Sequence, residues 1–339
     1  MSDRVRIPDG LPVLVTGAGG FVGGRLADRL IGMGIPVRGL VRRPEQAARL
    51  ESRGAQAALG DLTQEDTLAH AVRGCGIVFH CAAWMGRPHT REAAVAVNVE
   101  GTRRLLRGAL DAGVRRFVHV STISVYGPTT SDVIDEQTPL WPLGLYRETK
   151  IEAEREVAKA QQLGLATVIL RPGQIFGPDD TGWSPAAIRL LRRGLPLVVD
   201  GGHGFCYPIF IENLVDALLS AGNLDGAVGQ VMNLADGDVP WREFFGYYAA
   251  MVGRRLRSFP SWAVRLITTG VEIVSSLTRR PPRWHRTELG YLLRRSRYST
   301  DRARTVLRWS PRVPISDGMR QTEIWLRQSG MLPEPQPAR

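Results

Sequence analysis

The stretch Val13-Leu14-Val15-Thr16-Gly17-Ala18-Gly19-Gly20-Phe21-Val22-Gly23 decides the fold. Its apolar opening, Val13 to Val15, reads as a buried strand. Glycines at 17, 20 and 23 then lead into an amphipathic helix beginning near Phe21. This is the logic of a dinucleotide-binding turn. Gly17 permits a tight strand-to-helix turn, Gly20 lets the backbone approach a pyrophosphate, and Gly23 lets the helix pack closely on the strand. The helix N-terminus supplies N–H groups for phosphate oxygens. The spacing is Gly-x-x-Gly-x-x-Gly rather than Gly-x-Gly-x-x-Gly, and its place directly after the first apolar strand strengthens the reading.

Strands and helices alternate outward from this turn. Helix one runs to about Gly32, and strands are expected at 36–41, 55–59, 76–81, 116–121 and 166–171. Helices are expected near 64–73, over 98–112 and over 146–164. The alternation predicts an α/β fold with a doubly wound parallel sheet. Beyond Pro172 the pattern loosens into a loop at 177–180, helices at 184–193 and 211–221, and a strand at 230–234 that returns to the sheet. The stretch from Trp241 to about Ser296 reads as helical and rich in Arg and Trp. The expected division is a dinucleotide domain over 1–175, with 205–237 and 298–328 returning to it. A smaller, mostly helical substrate lobe takes 176–204 and 238–297, and 329–339 is a flexible tail.

A chain of 339 residues has room for both parts. Cys75, Cys81 and Cys206 are too scattered for a disulfide framework or a zinc site, so no metal is expected. No secretory signal and no bilayer-length apolar run is found, and the expected location is the cytoplasm. Charge is unevenly placed: residues 254–308 carry 14 arginines against Glu272, Glu288 and Asp301, so this one segment holds the whole formal +11. Such a patch suits an anionic substrate or surface, or it is simply a solvated face.

Chemistry concentrates in Tyr146-Arg147-Glu148-Thr149-Lys150. Residues i and i+4 share a helix face, so Tyr146 and Lys150 can point into one cleft. A nearby ammonium favours the phenolate and would lower the tyrosine pKa, fitting Tyr146 for proton transfer to an alcohol/ketone pair. Lysine is otherwise confined to Lys159. Ser121-Thr122-Ile123-Ser124-Val125-Tyr126-Gly127 adds hydroxyls where the fifth strand ends, the edge at which ligands bind in such sheets.

With these residues in hand, the chain resembles the extended short-chain dehydrogenase/reductase family, also called the NAD-dependent epimerase/dehydratase family. The resemblance rests on Thr-Gly-x-x-Gly-Phe-Val-Gly at 16–23, Gly-Asp-Leu at 60–62, His-Cys-Ala-Ala at 80–83 and Asn-Val-x-Gly-Thr at 98–102. The Ser/Thr–Val-Tyr-Gly run at 121–127, the Tyr146/Lys150 pair and Arg-Pro-Gly-x-Ile-Phe-Gly-Pro at 171–178 complete it. It implies Tyr146 as catalytic acid/base, with Lys150 holding the nicotinamide ribose. Thr122 would orient the substrate, with adjacent Ser121 a one-residue alternative. Gly17, Gly20, Phe21, Val22 and Gly23 would receive the cofactor phosphates, and Asp61 and Leu62 the adenine. Ala82 and Ala83 would line the channel, and Pro172 and Gly173 would flank the nicotinamide. Asn98 matches a cofactor position, with a helix cap as the competing reading.

Cofactor choice turns on the end of strand two. NAD-preferring members carry an acid there, and here Val41 stands in its place, followed by Arg42 and Arg43. NADP is therefore expected, with NAD the alternative; Arg42 would be the 2′-phosphate clamp and Arg43 or Arg38 its substitutes. Arg171-Pro172-Gly173-Gln174 is similar to the branch of 3β-hydroxysteroid dehydrogenases and dihydroflavonol reductases. The expected reaction is hydride transfer between NAD(P) and a secondary alcohol/ketone, on a steroid-like or other apolar small molecule. A nucleotide-sugar epimerase or dehydratase, its arginines gripping a diphosphate, is the alternative. A non-catalytic dinucleotide sensor is the reading from another class, and an intact Tyr146/Lys150 pair speaks against it. No nucleic-acid module is found. Helix 261–278, apolar with basic flanks over 254–283, reads as a lid packed on the core or as a peripheral membrane contact. Family resemblance implies a homodimer through the helices near Asn98 and Tyr146.

Overall fold

The structure, a computed structural model, describes residues 10–84, 86, 90–278 and 287–333, with side chains between 272 and 288 left aside. Among the described residues, seven parallel strands form the central sheet: β1 Val13–Thr16, β2 Val37–Val41, β3 Gln56–Leu59, β4 Ile77–His80, β5 Arg116–Val120, β6 Thr167–Pro172 and β7 Val231–Leu234. Their order is 3-2-1-4-5-6-7. The strand order reverses between β1 and β4, and a doubly wound sheet binds its ligand in the crevice at such a point.

Helices cover both faces, which is why β1, β4, β5 and β6 are buried along their full length. On one face Val13, Val15, Ile77, Phe79, Val118 and Leu170 pack against Leu26 and Leu30 of α1 (Phe21–Gly32) and Leu214 and Leu218 of α8 (Ile211–Asn223). On the other, Leu14, Val78, Phe117 and Ile169 meet α3 (Glu65–Val72), α5 (Gly101–Asp111) and α6 (Leu145–Gln162). The strand-to-helix expectations hold closely. Two helices went unread: α2 (Pro44–Glu51), despite Pro44 at its first turn, and α4 (Arg91–Val95), capped by Thr90, whose Oγ1 accepts from the Ala93 amide at 3.2 Å.

The lobe has its own core of Phe176, Phe210, Trp241, Phe244 and Tyr248, joining α7 (Trp183–Arg192), α9 (Trp241–Met251) and α13 (Ile315–Gln328). The stretch from 241 to 296 is not uniformly helical. A short strand, Ser258–Phe259, pairs with Val198–Val199 before α10 (Ser261–Thr278) begins. The chain then passes through α11 (Thr287–Leu293) and α12 (Asp301–Val306) back to the sheet, where Ala303, Leu307 and Trp309 join the main core. Asn213 of α8 fastens this return: its Oδ1 accepts from the amides of Arg312 and Val313, each at 3.0 Å. Leu332 is buried and its amide donates to Leu326, so the chain stays docked that far; residues 334–339 lie outside the described residues.

Candidate active site

The glycine turn is built as its residue types require. Gly17 has φ +69°, and a Cβ there would meet the Ala82 backbone at 3.0 Å. A Cβ on Gly23 would sit 2.4 Å from the Gly17 carbonyl oxygen, so only glycine lets α1 seat against the strand. Gly20 stands at the N-cap of α1, whose start carries no side-chain cap and no acidic residue in its first turn. Its amides and positive dipole end therefore face the crevice unneutralised. Phe21 and Val22 turn their side chains toward the lobe core.

A buried relay ties this turn to the helix beyond β4. Thr102 Oγ1 donates to the Asn98 carbonyl at 2.6 Å, so it can only accept from His80 Nε2 at 2.9 Å. His80 Nδ1 then accepts from Thr16 Oγ1 at 2.8 Å, and Thr16 accepts from the Ala82 amide at 3.1 Å. The relay fixes a neutral imidazole protonated on Nε2. Burial, then the Lys150 charge, lowers the His80 pKa to about 3. Sequence reading placed His80 within a motif and gave it no part in this relay.

Asn98 is not a helix cap. It lies inside a π-helical turn, Ala96–Glu100, between α4 and α5. Its Oδ1 accepts from the Trp84 amide at 2.7 Å, and its Nδ2 donates to Thr149 Oγ1 at 2.9 Å. The side chain thus holds the segment after β4, which contains Ala82 and Ala83, against the helix that carries Tyr146 and Lys150. A π turn at a functional site is a common pairing.

Tyr146 and Lys150 stand one turn apart on α6, as their spacing predicts. Lys150 Nζ donates to the Val120 carbonyl at 2.8 Å and lies 3.2 Å from His119 Nε2, which brings it to the carboxyl end of β5. Burial lowers its pKa to about 8, against the opposing pull of Glu154. The expected tuning of Tyr146 is absent: burial pushes the phenol up to about 12, with no contribution from Lys150. The ammonium is turned to the strand instead.

The structure separates Ser121 from Thr122. Ser121 is buried and donates to Glu154, which also grips Arg171 at both oxygens, at 3.0 and 2.6 Å. Arg171 donates further to the Tyr126 hydroxyl at 2.7 Å, and Tyr126 donates to Asn233 Oδ1 at 2.7 Å. This network locks α6 to β5, β6 and β7, and it consumes Ser121. Thr122 is half-buried at the start of a 3₁₀ turn and donates only to Ser124 Oγ, at 3.1 Å. Thr122 thus lies outside the buried Glu154 network and shares its hydroxyl with Ser124 at this edge.

Arg42 is exposed beside the glycine turn, 3.9 Å from Asp61. Arg43 is exposed next to it at the N-cap of α2. Arg38 is no substitute: it is held at the other end of β2 by the carbonyls of Ala71 and Arg73 and by Gln56. Asp61 is partly spent on its own loop, accepting from the Thr63 amide at 2.9 Å and hydroxyl at 2.7 Å. The Leu62 side chain is buried beneath Gly101, where an added Cβ would lie 2.7 Å from it. Gly173, after Pro172 at the end of β6, is forced by packing: a Cβ would lie 1.8 Å from the Tyr207 carbonyl oxygen.

Next to this edge stands an aromatic wall. Gln174 accepts from the Tyr207 amide at 2.9 Å and donates to Tyr291. Arg294 is buried among Tyr291, Tyr207 and Tyr298, 4.7 to 5.3 Å from their ring centres, and donates to the Gly127 carbonyl at 2.6 Å and to Tyr298 at 2.9 Å. Its two terminal nitrogens are bonded inside the protein, while its buried Nε has no hydrogen-bond partner among the described residues. Arg302 pairs with Glu136, while Arg254, Arg255, Arg257 and Arg265 lie exposed on the lobe. Among the described residues no group of three or more metal-ligating side chains is found.

Comparison with known proteins matches residues 13–235 to the model of the NAD dependent epimerase/dehydratase family. A ketoreductase of Stigmatella aurantiaca named for 4-hydroxy-2-methyl-3-oxo-4-farnesyl-3,4-dihydroquinoline-1-oxide is 37% identical over 66% of this chain and 67% of its own. A UDP-glucose 4-epimerase of Mycolicibacterium smegmatis is 30% identical over 93% of this chain and 98% of its own. Among solved structures, MoeE5 in complex with UDP-glucose and NAD superposes with a TM-score of 0.75 at 25% identity, covering 94% of this chain and 99% of that one.

Proposed function

The chain belongs to the NAD-dependent epimerase/dehydratase family of NAD(P)-dependent extended short-chain enzymes, and within it we propose a ketoreductase or alcohol dehydrogenase that uses NADP and acts on an apolar small molecule. One observation carries the choice over a nucleotide-sugar epimerase. Arg294 is buried among Tyr207, Tyr291 and Tyr298 and donates to the Gly127 carbonyl rather than standing free for a diphosphate, and of that cluster only Tyr291 keeps part of its surface exposed. The name of the Stigmatella relative, with its farnesyl-bearing substrate, points the same way.

The residues present fit a dinucleotide. Gly17 and Gly23, where a Cβ would strike the backbone of Ala82 and of Gly17, allow the tight turn that brings α1 to the strand, and the uncapped start of α1 offers amides to the phosphates. Arg42 and Arg43 would take the 2′-phosphate; Ala82, Ala83, Asp61, Leu62, Asn98, Pro172 and Gly173 would border the rest. When bound, the nicotinamide supplies or accepts the hydride. Thr122 donates a hydrogen bond to the substrate oxygen and fixes its position. Tyr146 gives its phenol proton to that oxygen in reduction and takes it back in oxidation. A phenol raised to about 12 is protonated at neutral pH and so is ready as the acid. Lys150, whose ammonium is bonded to the Val120 carbonyl at the carboxyl end of β5, would hold the ribose from there.

The test is a screen of hydrophobic ketones for NADPH oxidation with wild type and Tyr146→Phe. Turnover should fall by at least about a thousandfold in the variant while NADPH affinity stays within about threefold. Undiminished turnover by Tyr146→Phe contradicts the assignment.

A further inference from the structure

We propose that the outer face of α10 and the arginines around it form a docking surface for an anionic lipid bilayer. Sequence reading favoured a helix packed on the core, and the side chains are arranged otherwise. Trp262, Leu266 and Ile267 are 65%, 66% and 56% exposed, and Val271 is exposed with them. Only Thr268 is buried along this part of the helix, with Val264 half-covered. Trp262 pairs with Leu266, and Ile267 with Val271, at i,i+4 spacing, with Gly270 between the two rows. The apolar face thus points away from the protein, the reverse of an ordinary surface helix. Phe259 and Leu195, both exposed, extend the patch along the adjoining strand and loop.

Charge complementarity identifies the occupant. Arg254, Arg255, Arg257 and Arg265 are exposed around the patch, joined by Arg192 and Arg193 of the neighbouring turn, where Arg257 donates to the Gly194 carbonyl at 3.2 Å. Asp200 accepts from the Ser261 amide at 2.7 Å and pins the first turn of α10. A tryptophan and branched aliphatics ringed by guanidinium groups match the boundary of a bilayer, with acyl chains below and anionic headgroups beside. No helix among the described residues is long and apolar enough to cross a membrane, so the contact is one of lying on the surface. The inference stands apart from the reaction proposed above, because its readout is partition and not turnover.

The full chain is to be co-sedimented with phosphatidylcholine vesicles and with vesicles that also contain phosphatidylglycerol. Binding is expected to the anionic vesicles alone, weakening as salt rises. Leu266→Glu/Ile267→Glu should abolish it, and Arg254→Gln/Arg255→Gln/Arg257→Gln should weaken it about fivefold for each arginine removed. Both sets lie on exposed positions, so melting temperature should be unchanged, which separates loss of docking from loss of fold. Absence of binding to anionic vesicles overturns the proposal, as does binding unaltered by the glutamates. A dimer in light scattering that the glutamates dissociate, without vesicle binding, would assign the face to a second copy instead.

Discussion

The proposed NADP preference comes down to one exposed guanidinium, Arg42, next to Val41, which stands where an acid would repel a phosphate. Arg42→Ala should weaken NADPH by about tenfold to a hundredfold, the range for a lost charge-assisted contact, and leave NADH nearly unchanged. Equal losses for both, measured by fluorescence titration, would remove the case for NADP. Lys150 sets a pH limit. Its pKa lies at about 8, below the ordinary lysine value, because burial disfavours the ammonium. Steps that need the charge should therefore decline as pH rises through about 8, rather than near the ordinary lysine value. Stability runs the other way. Above pH 8 the unfolded chain holds the proton that the native state has shed, so stability gains up to the ordinary value. A kcat profile flat to pH 10 would contradict the role given to Lys150. The Tyr146/Lys150 spacing was plain in the sequence, but the direction of the Lys150 ammonium was not. It is set by Val120 and His119, some thirty positions away.

Among the elements, α6 carries the most: Tyr146 and Lys150, proposed for the chemistry, and Glu154, which fastens it to β6. Glu154 and Arg171 are both buried, and a buried pair broken on one side leaves an uncompensated charge. Glu154→Gln should lower unfolding stability by about 3 kcal/mol, read from the urea midpoint at unchanged slope. A loss under about 1 kcal/mol would show that Tyr126 suffices to hold the guanidinium. The apolar runs that became β1, β4, β5 and β6 were legible because a strand buried on both faces advertises itself in four to six residues. Glu154 was not, since nothing local marks a charge whose partner lies on another element. The helix over 98–112 was read too short for a related reason: α4 and the π turn before it present few large apolar residues, and Asn98 looked like a cap in isolation.

For the molecule as a whole, the net charge of +11 resolves into different fates for the late arginines. Arg294 is buried in an aromatic wall, Arg302 pairs with Glu136, and Arg254, Arg255, Arg257 and Arg265 lie on the surface around α10. Composition alone could not divide them, because burial depends on which face the fold presents. The proposed reading is an exchanging oxidoreductase, and cofactor exchange separates it from the epimerase alternative. An epimerase returns its hydride to the same substrate and can keep one cofactor molecule through many turnovers, whereas a dehydrogenase exchanges its cofactor each cycle. The most direct test is the nucleotide content of freshly purified protein, released by denaturation and identified by mass. An empty site that binds added NADPH is the predicted result; stoichiometric bound NAD would contradict both the cofactor preference and the reaction.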